Sequence, residues 1–272
     1  MNLTDTHCHL YFNKFDDDLD EVIARAQEEG VTHILVPGIT RDTSLAAVKM
    51  AQSYPTIFAA VGVHPSDALT WTKSTLDELR TLAENSRVKA IGEIGLDHYW
   101  DTAPHNIQEN VLREQLSLAE ELGLPVVLHL REKGDAPHGE CAEDLLRILA
   151  EWVASLRSSG NPLSKNPGVL HSFSGTLSTA QKAIELGFMI GVTGPVTFKN
   201  AEERREVIRS IPVEYLLIET DAPFLAPDPR RGRRNEPAYV SLIADKVAEL
   251  HAHTPAEIAE ITSANAARLF NW

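Results

Sequence analysis

Short apolar, β-branched runs recur along the chain, and each is followed by a longer stretch in which apolar residues return every third or fourth position. The runs are LTDTH (3–7), THILVPG (32–38), FAAVGVH (58–64), KAIGEIG (89–95), VVLHL (126–130), GVLHS (168–172), FMIGV (188–192) and YLLIET (215–220). Their apolar character is continuous instead of alternating, which predicts strands buried on both faces of a parallel sheet. Between them, DEVIARAQEEG (20–30) and QENVLREQLSLAEELG (108–123) carry helical periodicity and stop at Gly30 and Gly123, residues suited to a left-handed helix cap. Eight βα units with right-handed crossovers predict an α/β fold, a closed (β/α)8 TIM barrel in a single domain over residues 1–272. Helices near 236–250 and 255–269 would cover one side. An open doubly wound sheet would need a Gly-rich nucleotide turn after an early strand, and the sequence has none.

Three segments break the alternation: 131–140, 158–168 and 222–237, each rich in Gly, Pro or charge. The first and third follow strands, so they are expected on the catalytic face of a barrel. The second precedes a strand and is expected on the opposite face.

Composition narrows the partners. A chain of 272 residues with 43% hydrophobic content can bury a substantial core. Its formal charge of −14 argues against coating nucleic acid by general attraction, which draws on many Lys and Arg side chains. Nucleic acid would have to be gripped locally, and metal ions in an acidic cleft would supply positive charge there. Cys8 and Cys141 are too few for a disulfide framework or a four-cysteine zinc site and read as packing thiols. The opening MNLTDTHCHL lacks the basic start and apolar run of an export signal, and no apolar stretch approaches the roughly 20 residues that span a bilayer. The expectation is a soluble, cytoplasmic protein without membrane contact.

The chemistry-bearing residues fall at one end of these strands. His7 and His9 end the first run, Glu93 the fourth, His129 the fifth and His171 the sixth, while Asp221 follows the eighth. In a barrel that rim is where active sites are built, and four imidazoles with two carboxylates make a mixed nitrogen and oxygen set suited to Zn2+, Mn2+, Ni2+ or Mg2+. Each residue alone has an ordinary reading: a packing histidine, a turn aspartate, a glutamate paired with a base. Together they would be six buried polar groups without evident partners, at about 1–3 kcal/mol each, unless cations bind them. The other histidines, at 33, 98, 105, 138, 251 and 253, fall at strand starts, in loops or on helices and read as ordinary.

The sequence resembles the TatD family of metal-dependent deoxyribonucleases over nearly its whole length. The matching motifs, in order, are DTHCHL (5–10), VGVHP (61–65), GEIGLD (92–97), LHLR (128–131), HSFSG (171–175), ETDAP (219–223) and RGRRNEP (231–237). The resemblance implies two divalent cations, one held by His7, His9, Glu93 and Asp221 and the other by Glu93, His129 and His171, with Glu93 as the bridge. It implies hydrolysis of DNA phosphodiester bonds, as an exonuclease on single-stranded ends, with Asp221 and Glu93 as the catalytic carboxylates. The amide-hydrolysing barrel relatives usually bridge their metals with a modified lysine, whereas here the fourth strand offers the shorter Glu93. Hard coordination by Mg2+ or Mn2+ follows, with Zn2+ or Ni2+ as ions that could copurify.

Substrate contacts are expected from His64, Arg131, Ser174, Arg234 and Asn235, because guanidinium forks match phosphate and each lies in a loop after a strand. Against this, RRGRR (230–234) could be a solvated basic loop, Arg131 could pair with Glu132 or Asp135, and His64 could cap the next segment. Departures from the family pattern at Leu130, His98 and Ser172, and in the segments 131–140 and 155–167, bear on substrate preference. The alternatives are hydrolysis of another ester or amide, such as D-aminoacyl-tRNA, or a silent barrel used for binding.

Overall fold

The computed structural model describes residues 2–100 and 102–272. Its strands are β1 (Leu3–Asp5), β2 (Val31–Pro37), β3 (Ile57–Val61), β4 (Val88–Asp97), β5 (Val126–Arg131), β6 (Gly168–Leu170), β7 (Met189–Val192) and β8 (Leu216–Ile218). The helices are α1 (Leu19–Glu28), α2 (Arg41–Ser53), α3 (Lys73–Ala83), α4 (His105–Leu122), α5 (Glu140–Ser158), α6 (Leu177–Glu185), α7 (Glu202–Ser210), α8 (Val240–His251) and α9 (Pro255–Phe270). Every strand pairs in parallel with the next one in chain order, as expected for eight βα units in a barrel.

Closure of the barrel explains why β1 and β8 are shorter than their apolar runs. Beyond Asp5 and Ile218 the two chains leave the regular ladder and join through single bonds. Thr6 N–H donates to Ile218 O (3.3 Å), Asp221 N–H to His7 O (2.8 Å) and His9 N–H to Ala222 O (2.7 Å). Cys8 and Ala222 form a parallel bridge in the same seam. The segments carrying His7, His9 and Asp221 are therefore stitched directly to one another.

The continuous apolar runs have the predicted two-sided role. Leu35, Phe58, Ala60, Ala90, Val127, Val169, Met189 and Leu217 fill one buried cluster, the barrel interior. Their neighbours Ile34, Val36, Ala59, Val61, Ile91, Leu128, Ile190 and Ile218 join the larger cluster under the helices. The last helix flanks the barrel only with its first turns, where Ile258 and Ala259 join the larger outer cluster. Ala266, Leu269 and Phe270 of α9 pack into the interior cluster, so α9 plugs the end where the strands begin. Asn265 fixes it there by donating to Val213 O and Leu216 O at 2.9 Å each. The expected helix from 236 begins at Val240, after a short 3-10 turn at Pro237–Tyr239. Gly123 caps α4 in the left-handed region (φ 66°), while Gly30 stands one residue past the cap Glu29.

The segments 131–140 and 222–237 follow β5 and β8 and lie on the rim where strands end, whereas 158–168 precedes β6 at the opposite end. Among the described residues, no helix is long and apolar enough to cross a membrane.

Candidate metal centre

Local backbone features aim the rim side chains. Asp5, fully buried at the end of β1, accepts hydrogen bonds from Thr220 N–H (2.8 Å) and His7 N–H (3.3 Å). One carboxyl thus locks the residues preceding Asp221 to those following β1, and burial pushes it up to about 8. Glu93 is not at the end of β4, which runs four residues further. A register irregularity between Ile91 and Ile94 accompanies its position facing the barrel axis. Two residues on, Gly95 (φ 144°) lies so close to β5 that a Cβ would overlap the His129 carbonyl. Ser172 (φ 45°) and Asp221 (φ 56°) both sit in the left-handed region, the kind of local strain that clusters at functional sites.

The six expected ligands come together in two nests that share Glu93. In the first, His7 Nε2 and His9 Nε2 are 3.1 Å apart, and Glu93 Oε2 lies 3.3 Å from the former and 3.6 Å from the latter. Asp221 Oδ1 closes it at 3.8 Å from His7 Nε2 and 3.5 Å from His9 Nε2. In the second, Glu93 Oε1 lies 2.9 Å from His129 Nδ1 and 3.0 Å from His171 Nε2. This donor set fits two divalent cations, because each nest collects imidazole lone pairs around a different oxygen of one carboxylate.

Behind the nests stand carboxylates that orient the rings. Asp97 Oδ2 meets His129 Nε2 at 2.9 Å, which leaves Nδ1 as the free lone pair facing Glu93. Glu219, fully buried, faces His171 Nδ1 at 3.5 Å and accepts from Thr6 Oγ1 and from the Ser172 amide. Tyr11 Oη meets His9 Nδ1 at 2.8 Å. Carboxylate-backed imidazoles of this kind set tautomer and ring orientation at metal sites. Sequence reasoning missed Asp97 and Glu219 as site residues although both fall inside quoted motifs, since neither stands out by spacing.

Electrostatics point the same way. Burial alone would raise the Glu93 carboxyl, but His171, His7 and His129 outweigh it and hold it well below the usual carboxylate range. Burial would likewise raise Asp221, and His9, His171 and His7 bring it down. Burial lowers His7, whereas Glu93 and Glu219 overcome burial at His171 and push it well up. A buried carboxylate and a half-buried one thus draw positive charge into the centre, which is what a cation supplies.

The centre opens into a cavity of about 890 Å3 whose walls include His9, His64, Asp97, Trp100, Arg131, Ser174, Arg204 and Phe224. His64 Nδ1 accepts from Ser66 N–H at 3.1 Å, so its neutral ring presents Nε2–H to the cavity, 3.6 Å from Glu93 Oε1. Burial, with His129 beside it, lowers His64 to about 3, keeping that tautomer neutral. His64 therefore caps the next segment and faces the site at once.

Arg131 lines the cavity but pairs with Asp135 (2.8 Å) and lies over the Tyr99 ring at 3.7 Å. Ser174 lines it too. The last two expected contacts are placed elsewhere. Arg234 grips Asp18 Oδ1 and Oδ2 at 2.6 and 2.7 Å and also bonds Lys14 O, so its fork is filled by protein. Asn235 is 0% exposed and spends its amide on Thr220 O (2.8 Å) and Phe224 O (2.6 Å), which makes it a brace of the Asp221 turn and corrects the expected substrate contact. The cavity wall also holds a cation that the sequence did not single out. Arg204 of α7 faces the cavity, bonds only the Phe173 carbonyl (3.0 Å), and has no carboxylate partner among the described residues. Its strongly charged helix reads as a solvated surface, so no periodic signal marks it.

The family model described as TatD related DNase matches residues 4–271. An uncharacterized metal-dependent hydrolase, YabD of Bacillus subtilis, is 43% identical over 268 residues, covering 98% of each chain. The 3'-5' ssDNA/RNA exonuclease TatD of Cronobacter sakazakii is 39% identical over 272 residues, covering 98% of this chain and 97% of its own. The crystal structure of YJJV, a TatD homologue from Escherichia coli K12, superposes with a TM-score of 0.87 at 32% identity, covering 99% of this chain and 98% of that one.

Proposed function

The chain belongs to the TatD family of metal-dependent hydrolases, and from that premise we propose that it hydrolyses phosphodiester bonds in DNA, trimming single-stranded ends as an exonuclease. The observation that carries this reading is Glu93, whose two oxygens face two different ligand nests. His7, His9, Glu93 and Asp221 would hold one cation and Glu93, His129 and His171 the other, with Mg2+ or Mn2+ serving activity. A bound pair supplies a water of lowered pKa and neutralises charge on the phosphate oxygens.

The protein's own groups do the rest. Asp221, half-buried and open to the cavity, would accept a proton from an attacking water and orient it. His64 Nε2–H donates toward a non-bridging phosphate oxygen, and Arg204 and Arg131 add positive charge at the wall. Unpaired bases have surfaces to stack on at two sides of the centre. Trp100 is 52% exposed in the β4–α4 loop, and Phe224 is 44% exposed across the cavity beside Phe12. Exposed rings flanking a phosphate site favour single strands, whose bases are free to stack. The name of the Cronobacter relative supports the same substrate class.

The test is a hydrolysis screen with Mg2+ and Mn2+ on end-labelled single-stranded DNA, duplex DNA, RNA, misacylated tRNA and small esters. Stepwise shortening of single-stranded DNA is the expected result. Turnover of the tRNA ester or the small esters, with DNA left intact, would overturn the nuclease reading and leave a hydrolase of another ester.

A further inference from the structure

Outside the centre, one buried imidazole has no hydrogen-bonding role. His98, directly after Asp97, is 8% exposed, and its Nε2 is buried without a partner among the described residues. Buried polar atoms are nearly always satisfied, so an orphan of this kind needs a ligand or a reason. Its ring lies face to face with that of His105, with centroids 3.5 Å apart and planes 1° from parallel. His105 is the first residue of α4, and Glu140 is the first residue of α5. His98, His105 and Glu140 each bring a ligand atom within 4.8 Å of the others.

The nearby carboxylates are otherwise engaged, which singles out Glu140. Glu132 accepts from Ala142 N–H (2.7 Å) and Cys141 N–H (3.3 Å), and Asp144 takes Arg147 at 3.0 Å. Glu140 makes no ion pair or side-chain hydrogen bond among the described residues. All three carboxylates attract positive charge toward His98.

We propose that His98, His105 and Glu140 form a separate cation site that takes Zn2+, or Ni2+ or Cu2+ of similar ligand preference, and clamps the β4–α4 loop to the start of α5. Two imidazoles and one carboxylate suit such borderline ions, with water completing the shell. The rings are stacked, so His105 must turn to aim its lone pair at a shared ion, and its exposure leaves it free to do so. The orphaned nitrogen of His98 then gains a partner. The clamp would steady the segment that begins with Asp97, which orients His129, and that ends in the exposed Trp100.

The site is independent of the catalytic centre, and metal counting separates the two. The protein is stripped, dialysed against micromolar Zn2+, and its equivalents per chain counted by mass spectrometry. His105→Ala and Glu140→Gln are each expected to bind one equivalent fewer than wild type. His138→Ala, which removes an exposed histidine beside Glu143, is expected to bind as many as wild type. The double variant His7→Ala/His171→Ala should keep the additional equivalent while losing those of the centre. Retention of the full complement by His105→Ala, or an equal loss in His138→Ala, overturns the proposal. If only the double variant fails to lose metal, the reading of the centre falls and the clamp stands.

Discussion

The proposed mechanism gives Asp221 two tasks on one side chain, holding a cation and accepting a proton. Its Oδ1 faces His7 and His9, its backbone N–H is tied to His7 O, and its left-handed φ of 56° turns the carboxylate into the cavity. Replacing it with asparagine keeps the shape and one ligating oxygen but removes the basicity. Asp221→Asn is therefore expected to keep much of its metal and DNA affinity while single-turnover cleavage falls by about 100-fold to 10,000-fold. Metal content, DNA affinity and cleavage measured on one preparation check this. A loss of only a few-fold would leave Asp221 as a ligand without a part in proton transfer. The six ligand-type residues were legible because each stands in the later part of a strand-forming run or just past one. Asp97 and Glu219 were not, because what they do depends on facing an imidazole on another strand, and that pairing is set by the sheet's curvature and register.

The β8–α8 loop shows at the scale of an element why charge in a sequence is ambiguous. Its basic cluster looked like a phosphate grip, yet Arg234 is spent on Asp18, just before α1, and Arg25 of α1 reaches Asp18 (3.2 Å) and Glu236 (2.7 Å). These ion pairs anchor the loop that carries Asp221 at its start and brace it against α1. The Arg234 and Arg25 guanidiniums hold Asp18 down to about 2 from its ordinary 3.8. A depressed carboxyl contributes stability that is present above its unfolded value and lost as pH falls through the folded one. The stability gap between wild type and Asp18→Asn is thus expected to close as pH drops from about 3.8 toward about 2, followed by thermal unfolding across that range. A gap that stays constant through the window would show that Asp18 acts by shape alone. At the same scale, Arg204 was hidden, because a helix rich in Glu and Arg gives no sign that one cation turns inward.

In the whole molecule, the packed plug and the candidate metal centre occupy opposite ends of the barrel. The interior cluster at the end where the strands begin is closed by α9, with Phe270 2% exposed among the strand side chains. The candidate metal centre lies at the other end, reached through loops. Phe270→Ala should cost about 3–5 kcal/mol of stability, the usual range for emptying a buried phenylalanine site. Metal stoichiometry and turnover at low temperature should be unchanged, since barrel cores bear stability and rims bear chemistry. Denaturant unfolding alongside metal analysis checks both halves. A variant that loses metal while remaining folded would show that the plug and the rim are coupled.

What the sequence determined by itself was the periodic content. Continuous apolar runs alternating with helical stretches allow few architectures, and ligand-type residues in or after the later parts of those runs had to converge toward one end once the barrel closed. Seven ordered motifs added the family. What the sequence left open was decided by contacts between residues far apart in the chain. The stitched seam shortened β1 and β8, Asp18 claimed Arg234, and the turn at Asp221 buried Asn235. Packing also brought His98 against His105 and Glu140, three residues with no spacing in common. Periodicity reports which face of an element is buried. It carries no information about which polar groups meet across elements, because that is fixed only when the chain closes on itself.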